Sequence, residues 1–233
     1  MQDTIDSETS ESPMKGQASI RPRLLLLGDN ARALWHPLAP VKEQLDAMLG
    51  SAFDIFVSED YDALASLHER DYDALLSYAD CWESKLTPEQ TAGLLRFVSQ
   101  GGGLLVIHNG ISLQVSYELA QVIGAKFIGH PPYQPLTYVR AAFDHPLLEG
   151  VSDFTVEEEP YRFELDTFTP RRILLEFDYE GARYPAAWEH PYGLGRVVYL
   201  QPGHCAASFQ PASYRRLIVN SLRWVSTRLQ ARD

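Results

Sequence analysis

The stretch Gly101-Gly102-Gly103-Leu104-Leu105-Val106-Ile107-His108-Asn109-Gly110 constrains the fold more than any other part of this chain. An apolar run ends abruptly at a His-Asn-Gly turn, and a helical pattern opens behind it. A strand that feeds a tight turn and then a helix presents its turn residue at the carboxyl edge of a sheet, where open α/β folds bind ligands. His108 therefore stands where a nucleophile stands in such folds.

Much of the chain repeats this unit. Leu24 to Leu27, ended by Gly28-Asp29-Asn30, suits a buried parallel strand better than a half-exposed one. A helix is predicted over Pro40 to Leu49, strands over Phe53–Val57 and Asp73–Ser77, and a short helix around Tyr61 to His68. Thr87-Pro88-Glu89-Gln90 combines a capping hydroxyl, a proline at the first helical position and a glutamine that closes a capping box, so a helix runs from there to about Gln100. Leu104 to Ile107 form the fourth strand, and Ser112 is expected to cap a helix through Ile123 that stops at Gly124. From Gly129 to Pro170 the pattern loosens into proline and aromatic residues. Strands follow at Ile173–Phe177, Ala186–Glu189 and Arg196–Leu200, the last two joined through the turn Pro191–Gly195, and a helix from Ser213 to Leu229 closes the chain. Strands alternating with helices imply a mostly parallel sheet covered on both faces.

Composition removes several function classes. The 233 residues carry 20 basic and 31 acidic side chains, a net charge of −11, and such a surface repels a phosphate backbone. Nucleic acid is not expected as a partner. No apolar run approaches the roughly 18 residues of a membrane span, so a soluble chain without a membrane partner is expected. Two cysteines, Cys81 and Cys205, without CxxC spacing make no disulfide scaffold, and a reducing cytoplasm is the simpler setting. Residues 1–20 are rich in Ser, Glu, Asp and Gln, lack a signal-peptide apolar core, and read as a flexible tail before a single domain over 21–233.

Several segments, taken in order, resemble the ThuA-like, or trehalose-utilisation, family. They are Trp35-His36-Pro37, the triple-glycine strand ending at His108, Phe143-Asp144-His145-Pro146 through Val151, Glu158-Glu159-Pro160-Tyr161, and Pro185–His190 through Gly193–Tyr199 to Gly203-His204. The resemblance implies an α/β fold, a flavodoxin-like three-layer α/β/α sandwich related to class I glutamine amidotransferases, with additional antiparallel strands beside a mostly parallel sheet. It also implies a link to carbohydrate metabolism. Ile107-His108-Asn109-Gly110 occupies the amidotransferase nucleophile elbow with histidine in place of the catalytic cysteine. His204 corresponds to the histidine after the last strand, yet the acidic residue expected two positions later is Ala206. Thioester chemistry needs a sulfur nucleophile beside a base, so glutamine hydrolysis is disfavoured.

A set of histidines remains on segments that should meet at one sheet edge: His36 after the first strand, His108 after the fourth, His204 after the last, and His130 after a possible strand over Ala125–Ile128. Imidazole serves as an acid, a base or a ligand for a divalent metal such as zinc. No local metal-binding spacing exists, and the plainer account makes each a loop residue satisfying backbone groups. The acidic run Glu157-Glu158-Glu159 is ordinarily a solvated face. The resemblance brings Glu158 or Glu159 and Tyr161 to the pocket, with His108, Glu158 and Glu159 as catalytic candidates. Substrate-binding candidates are His36, Asn109, Trp82, His130, Tyr161 and His204. Trp82 lies in the loop Tyr78–Glu83, which also offers Asp80 and Glu83; aromatic faces there suit sugar rings. Cys81, in the same acidic loop, reads as an inert thiol, Trp188 as core, and His68, His145 and His190 as structural.

Two functions stay open at this stage. One is an enzyme acting on a sugar or keto-sugar derivative by His/Glu acid–base chemistry, such as proton abstraction beside a carbonyl, with or without a metal. The other is a non-catalytic carbohydrate-binding or regulatory module. Apolar loops and the irregular segment leave room for a homo-oligomer.

Overall fold

The computed structural model describes residues 21–227; the expected tail over residues 1–20, and the end of the final helix at Leu229, lie outside them. Its first half is the predicted repeat: β1 (Arg23–Gly28), α1 (Leu38–Leu49), β2 (Asp54–Ser58), α2 (Asp62–Ala65), β3 (Ala74–Tyr78), α3 (Pro88–Ser99), β4 (Gly103–Ile107) and α4 (Tyr117–Ile123). The second half is strand-rich: β5 (Ala125–Gly129), β6 (Gln134–Arg140), β7 (Phe154–Glu158), β8 (Arg162–Leu165), β9 (Arg172–Tyr179), β10 (Ala182–Tyr192), β11 (Gly195–Leu200) and α5 (Ala212–Val225).

Nine strands form one sheet in the order β2-β1-β3-β4-β11-β10-β9-β6-β7, and β5 pairs with β8 in a separate ribbon. From β2 to β11 every pairing is parallel; from β11 to β7 every pairing is antiparallel. Strand alternation sorts the core onto two faces. Leu24, Leu26, Leu105, Ile107, Val198 and Leu200 pack with α1 and α5. Leu25, Leu27, Leu104, Val106, Val197 and Tyr199 pack with α3 and α4. This is the three-layer α/β/α sandwich, and burial on both faces explains why the central strands are uninterrupted apolar runs.

The Thr87 capping box is present in both directions, with Thr87 Oγ1 accepting from Gln90 N and Gln90 Oε1 accepting from Thr87 N. Ser112 is a correction. Residues His108–Val115 form a 3-10 turn and α4 begins only at Tyr117. The Ser112 hydroxyl instead donates to Ala79 O (2.9 Å) and accepts from Cys81 N (3.0 Å), tying the turn to the loop after β3. The loosened segment is a second correction, since it contains β6, β7 and β8. Leu136 and Tyr138 alternate inward along β6, but Pro135 obscures the pattern. It is tolerated because β9 pairs only from Tyr138 onward, leaving Pro135 a partner on one side.

The end of α4 is anchored by side chains from the antiparallel half. Carbonyls at a helix terminus lack intrahelical donors. Here His190 Nε2 meets Val122 O at 2.8 Å, Trp188 Nε1 donates to Ile123 O at 2.8 Å, and Arg171 Nη2 donates to Gly124 O at 2.7 Å. Burial lowers the His190 pKa to about 4 from 6.5. The unfolded chain therefore takes up this proton first as pH falls. The stabilisation is full above about pH 6.5 and is lost on the way down to about pH 4, on the order of 3 kcal/mol. Chemical denaturation across that range should show the loss, and His190→Gln should flatten it; an identical pH profile in the variant would contradict the assignment.

Candidate metal centre

The turn after β4 is strained in the way its sequence suggests. His108 has φ +48°, unusual for a side chain with a Cβ. Gly110 follows because a Cβ there would stand 2.1 Å from Ser77 O. The His108 imidazole is fully buried and stacked on Tyr161, with centroids 4.2 Å apart. Its Nδ1 lies 2.7 Å from Gln201 O. A carbonyl only accepts, so Nδ1 carries the proton and Nε2 presents a lone pair. Burial lowers the His108 pKa to about 4, outweighing Glu159, so the ring is neutral.

Three more groups face that lone pair. His36, from the loop after β1, sets its Nδ1 3.4 Å from Asp80 Oδ2 and turns Nε2 inward. Burial works against its charged form, but Asp80 and Glu159 outweigh it and raise the pKa. His204, in the loop after β11, contributes Nδ1. Glu159 Oε2 stands 3.3 Å from His204 Nδ1, 3.4 Å from His108 Nε2 and 3.9 Å from His36 Nε2. Burial alone would raise the Glu159 carboxyl; with His108 Nε2 unprotonated, it is the His204 and His36 imidazoles beside it that hold it far below the usual carboxylate range.

These four atoms are all buried and none has a hydrogen bond of adequate geometry. One ligand atom from each of His36, His108, His204 and Glu159 falls within 4.8 Å of the others, and among the described residues this is the one such group. An ion bound at about 2.0–2.2 Å by a tetrahedral N/O set separates its ligands by roughly 3.3–3.6 Å. The donor set of three imidazoles and one carboxylate fits zinc and neighbouring first-row divalent ions. The proton partners behind it, Gln201 O for His108 and Asp80 for His36, are those that orient metal-bound histidines.

Of the sequence candidates, Glu158 and Asn109 take supporting positions. Fully buried Glu158 accepts from Gly203 N (2.7 Å) and His204 N (3.2 Å), holding the loop that carries His204. Burial pushes its pKa up to about 7 against the bonds from Ser208, Gly203 and His204. Asn109 is wholly buried, and its amide donates to Tyr78 O and Ala79 O, so it faces the protein and not a substrate. His130 stands at the rim, 34% exposed at its side chain, with Nε2 3.8 Å from Glu159 Oε1. Trp82 packs its ring 5.4 Å from Phe127 and lines a cleft beside the cluster. Burial pushes the Cys81 thiol up to about 11, which keeps it protonated. Gln201 was not a candidate: nothing local marks it, since its partner His108 is 93 residues away.

A family model described as trehalose utilisation, ThuA, matches residues 29–225, a span that includes all four converging residues. The chain belongs to the ThuA family. Among solved structures, a ThuA-like protein from Bacteroides uniformis is 17% identical with a TM-score of 0.73, over 92% of this chain and 95% of that one. Another ThuA-like protein, from Parabacteroides merdae, is 15% identical with TM-score 0.73, covering 92% and 93%. A protein from Salmonella typhimurium described as cytoplasmic is 15% identical with TM-score 0.62, covering 88% and 100%. These likenesses show the ThuA fold. No curated protein matches the sequence. No helix among the described residues is long and apolar enough to cross a membrane.

Gly203 tests the packing of this ThuA site. Its φ is +151°, and an added Cβ would lie 2.7 Å from Ile107 Cγ2 and 2.8 Å from His108 Cβ. Gly203→Ala should destabilise the protein by about 1–3 kcal/mol in thermal or chemical denaturation, as overpacking does. Unchanged stability would contradict the close approach of the His204 loop to the elbow.

Proposed function

We propose that this ThuA-family chain is a metal-dependent enzyme of carbohydrate metabolism, acting on a sugar or keto-sugar derivative. The observation that carries the proposal is the convergence of four buried, unpartnered donor atoms from His36, His108, His204 and Glu159 on one point. A divalent cation held there would, by taking a fifth ligand beyond these four, polarise a carbonyl or acidify a bound water. In this reading His108 is a ligand whose strained turn aims Nε2 at the site, and Glu159 binds through Oε2. Proton transfer then falls to Glu159 Oε1 and His130 Nε2, the pair at the rim 3.8 Å apart. Tyr161 walls the pocket behind His108, while Glu158 positions His204.

The reaction class this favours is proton transfer beside the carbonyl of an oxidised sugar, as in isomerisation or elimination. Glutamine amidotransfer is not part of the reading. The elbow holds His108, and neither Cys81 nor Cys205 stands on it. Plain glycoside hydrolysis uses two opposed carboxylates across the scissile bond, whereas Glu158 is spent on backbone N–H groups.

Metal analysis of the purified chain should find about one equivalent of a divalent ion. His108→Ala should weaken metal binding by more than the 10–100-fold typical of losing a supporting partner, and should abolish turnover in a screen of sugars and their keto derivatives. Chelation should remove activity and metal addition restore it. Turnover that is indifferent to chelators and to His108→Ala would sink the proposal. Metal and sugar binding without turnover of any oxidised sugar would instead support a binding module.

A further inference from the structure

Beside the metal centre, between the loop after β1 and the loop after β3, lies a cleft of about 670 Å³. None of the four converging residues lines it. It nevertheless adjoins them at two points: Trp35 precedes His36 in the chain, and Asp80, on the cleft wall, faces His36 Nδ1. Its size is that of a small-molecule site.

The lining has a definite chemistry. Trp35 is 72% exposed and its neighbour Leu34 80%, so a large indole on the cleft lining is open to solvent; Trp82 supplies a second aromatic. Deeper in, the polar groups are already committed to one another. The Asp29 carboxylate accepts from Tyr61 Oη and from Asp80 N, and it pairs with Arg32 at 3.3 Å. Arg32, paired with Asp29, and Lys85 share the lining with the acidic Asp29, Asp80 and Glu83. The cleft thus has no cationic excess with which to hold a phosphate or carboxylate. What it offers is aromatic surface together with exposed groups of both hydrogen-bonding senses, at Glu83, Ser84, Lys85 and Thr87.

We propose that this cleft is a binding subsite for a neutral, hydroxyl-rich ring, the non-reacting part of a saccharide whose other end reaches the metal centre. The assignment of the reacting end rests on the function proposed above; the cleft's own chemistry does not. A ring held against Trp35 or Trp82 has Glu83 and Lys85 on the same lining to meet its hydroxyls, and Asp80 joins that lining to His36.

The test is calorimetric titration of the full chain, loaded with its metal, using trehalose as the neutral probe and glucose 6-phosphate as the anionic one. Wild type should bind trehalose in preference to glucose 6-phosphate. Trp35→Ala should bind it about tenfold more weakly, roughly 1.4 kcal/mol, with its melting temperature unchanged, and Trp35→Phe should recover most of the loss. Equal binding by wild type and Trp35→Ala, preference for glucose 6-phosphate, or no trehalose binding at millimolar concentration would each overturn the subsite. The two proposals fail separately: metal binding without trehalose binding removes the subsite alone, and trehalose binding by a chain that takes no metal removes the metal centre alone.

Discussion

The site depends on Gln201, a fully buried residue just past the end of β11. Its carbonyl takes the His108 Nδ1 proton at 2.7 Å, and its N–H donates to Ala186 O at 2.7 Å. Its side-chain oxygen accepts from Tyr138 Oη at 2.8 Å, and its amide nitrogen donates to Glu159 O. One residue therefore ties the elbow after β4 to the antiparallel strands and to the segment bearing the only carboxylate in the cluster. The parallel pairing of β4 with β11 makes this reach short. Because that carbonyl fixes the imidazole tautomer, the orientation of the His108 lone pair is set by the fold itself.

The energetic cost of the arrangement points to its purpose. A buried polar atom without a partner costs about 1–3 kcal/mol, and four such atoms are gathered within 4.8 Å in the ThuA site. Scattered, they would be ordinary defects. Concentrated on one point, with His108 and His36 oriented from behind by Gln201 and Asp80, they have the form of a ligand set that needs an ion to complete it. His108 sits on a strained turn, with φ +48°, of the kind that presents a nucleophile in other α/β folds, and the residue it presents is suited to coordination.

The fold was legible in the sequence where its signals are local. The run Leu24–Leu27, the Thr87 capping box and the strand ending at His108 each announce themselves within ten residues, and the elements stand where they do. Strands β6 to β8 were not legible, because Pro135 interrupts the alternation and their pairings join distant segments. The site divides along the same line. His36, His108, His204 and Glu159 were reachable from their places after strands and from the family resemblance. The supporting contacts were not: His108 to Gln201, Glu158 to His204 and His36 to Asp80 span 93, 46 and 44 residues. The direction of Asn109 was not legible either: its amide turns inward to the Tyr78 and Ala79 carbonyls at the end of β3.

The central claim is that three imidazoles and one carboxylate hold a single ion. X-ray absorption spectroscopy of the zinc-loaded protein tests it most directly. Such an ion has a nitrogen and oxygen shell at about 2.0–2.2 Å, with the multiple scattering of three imidazole rings, one of them lost in His204→Ala. A shell without imidazole scattering, or one that His204→Ala leaves unaltered, would contradict it.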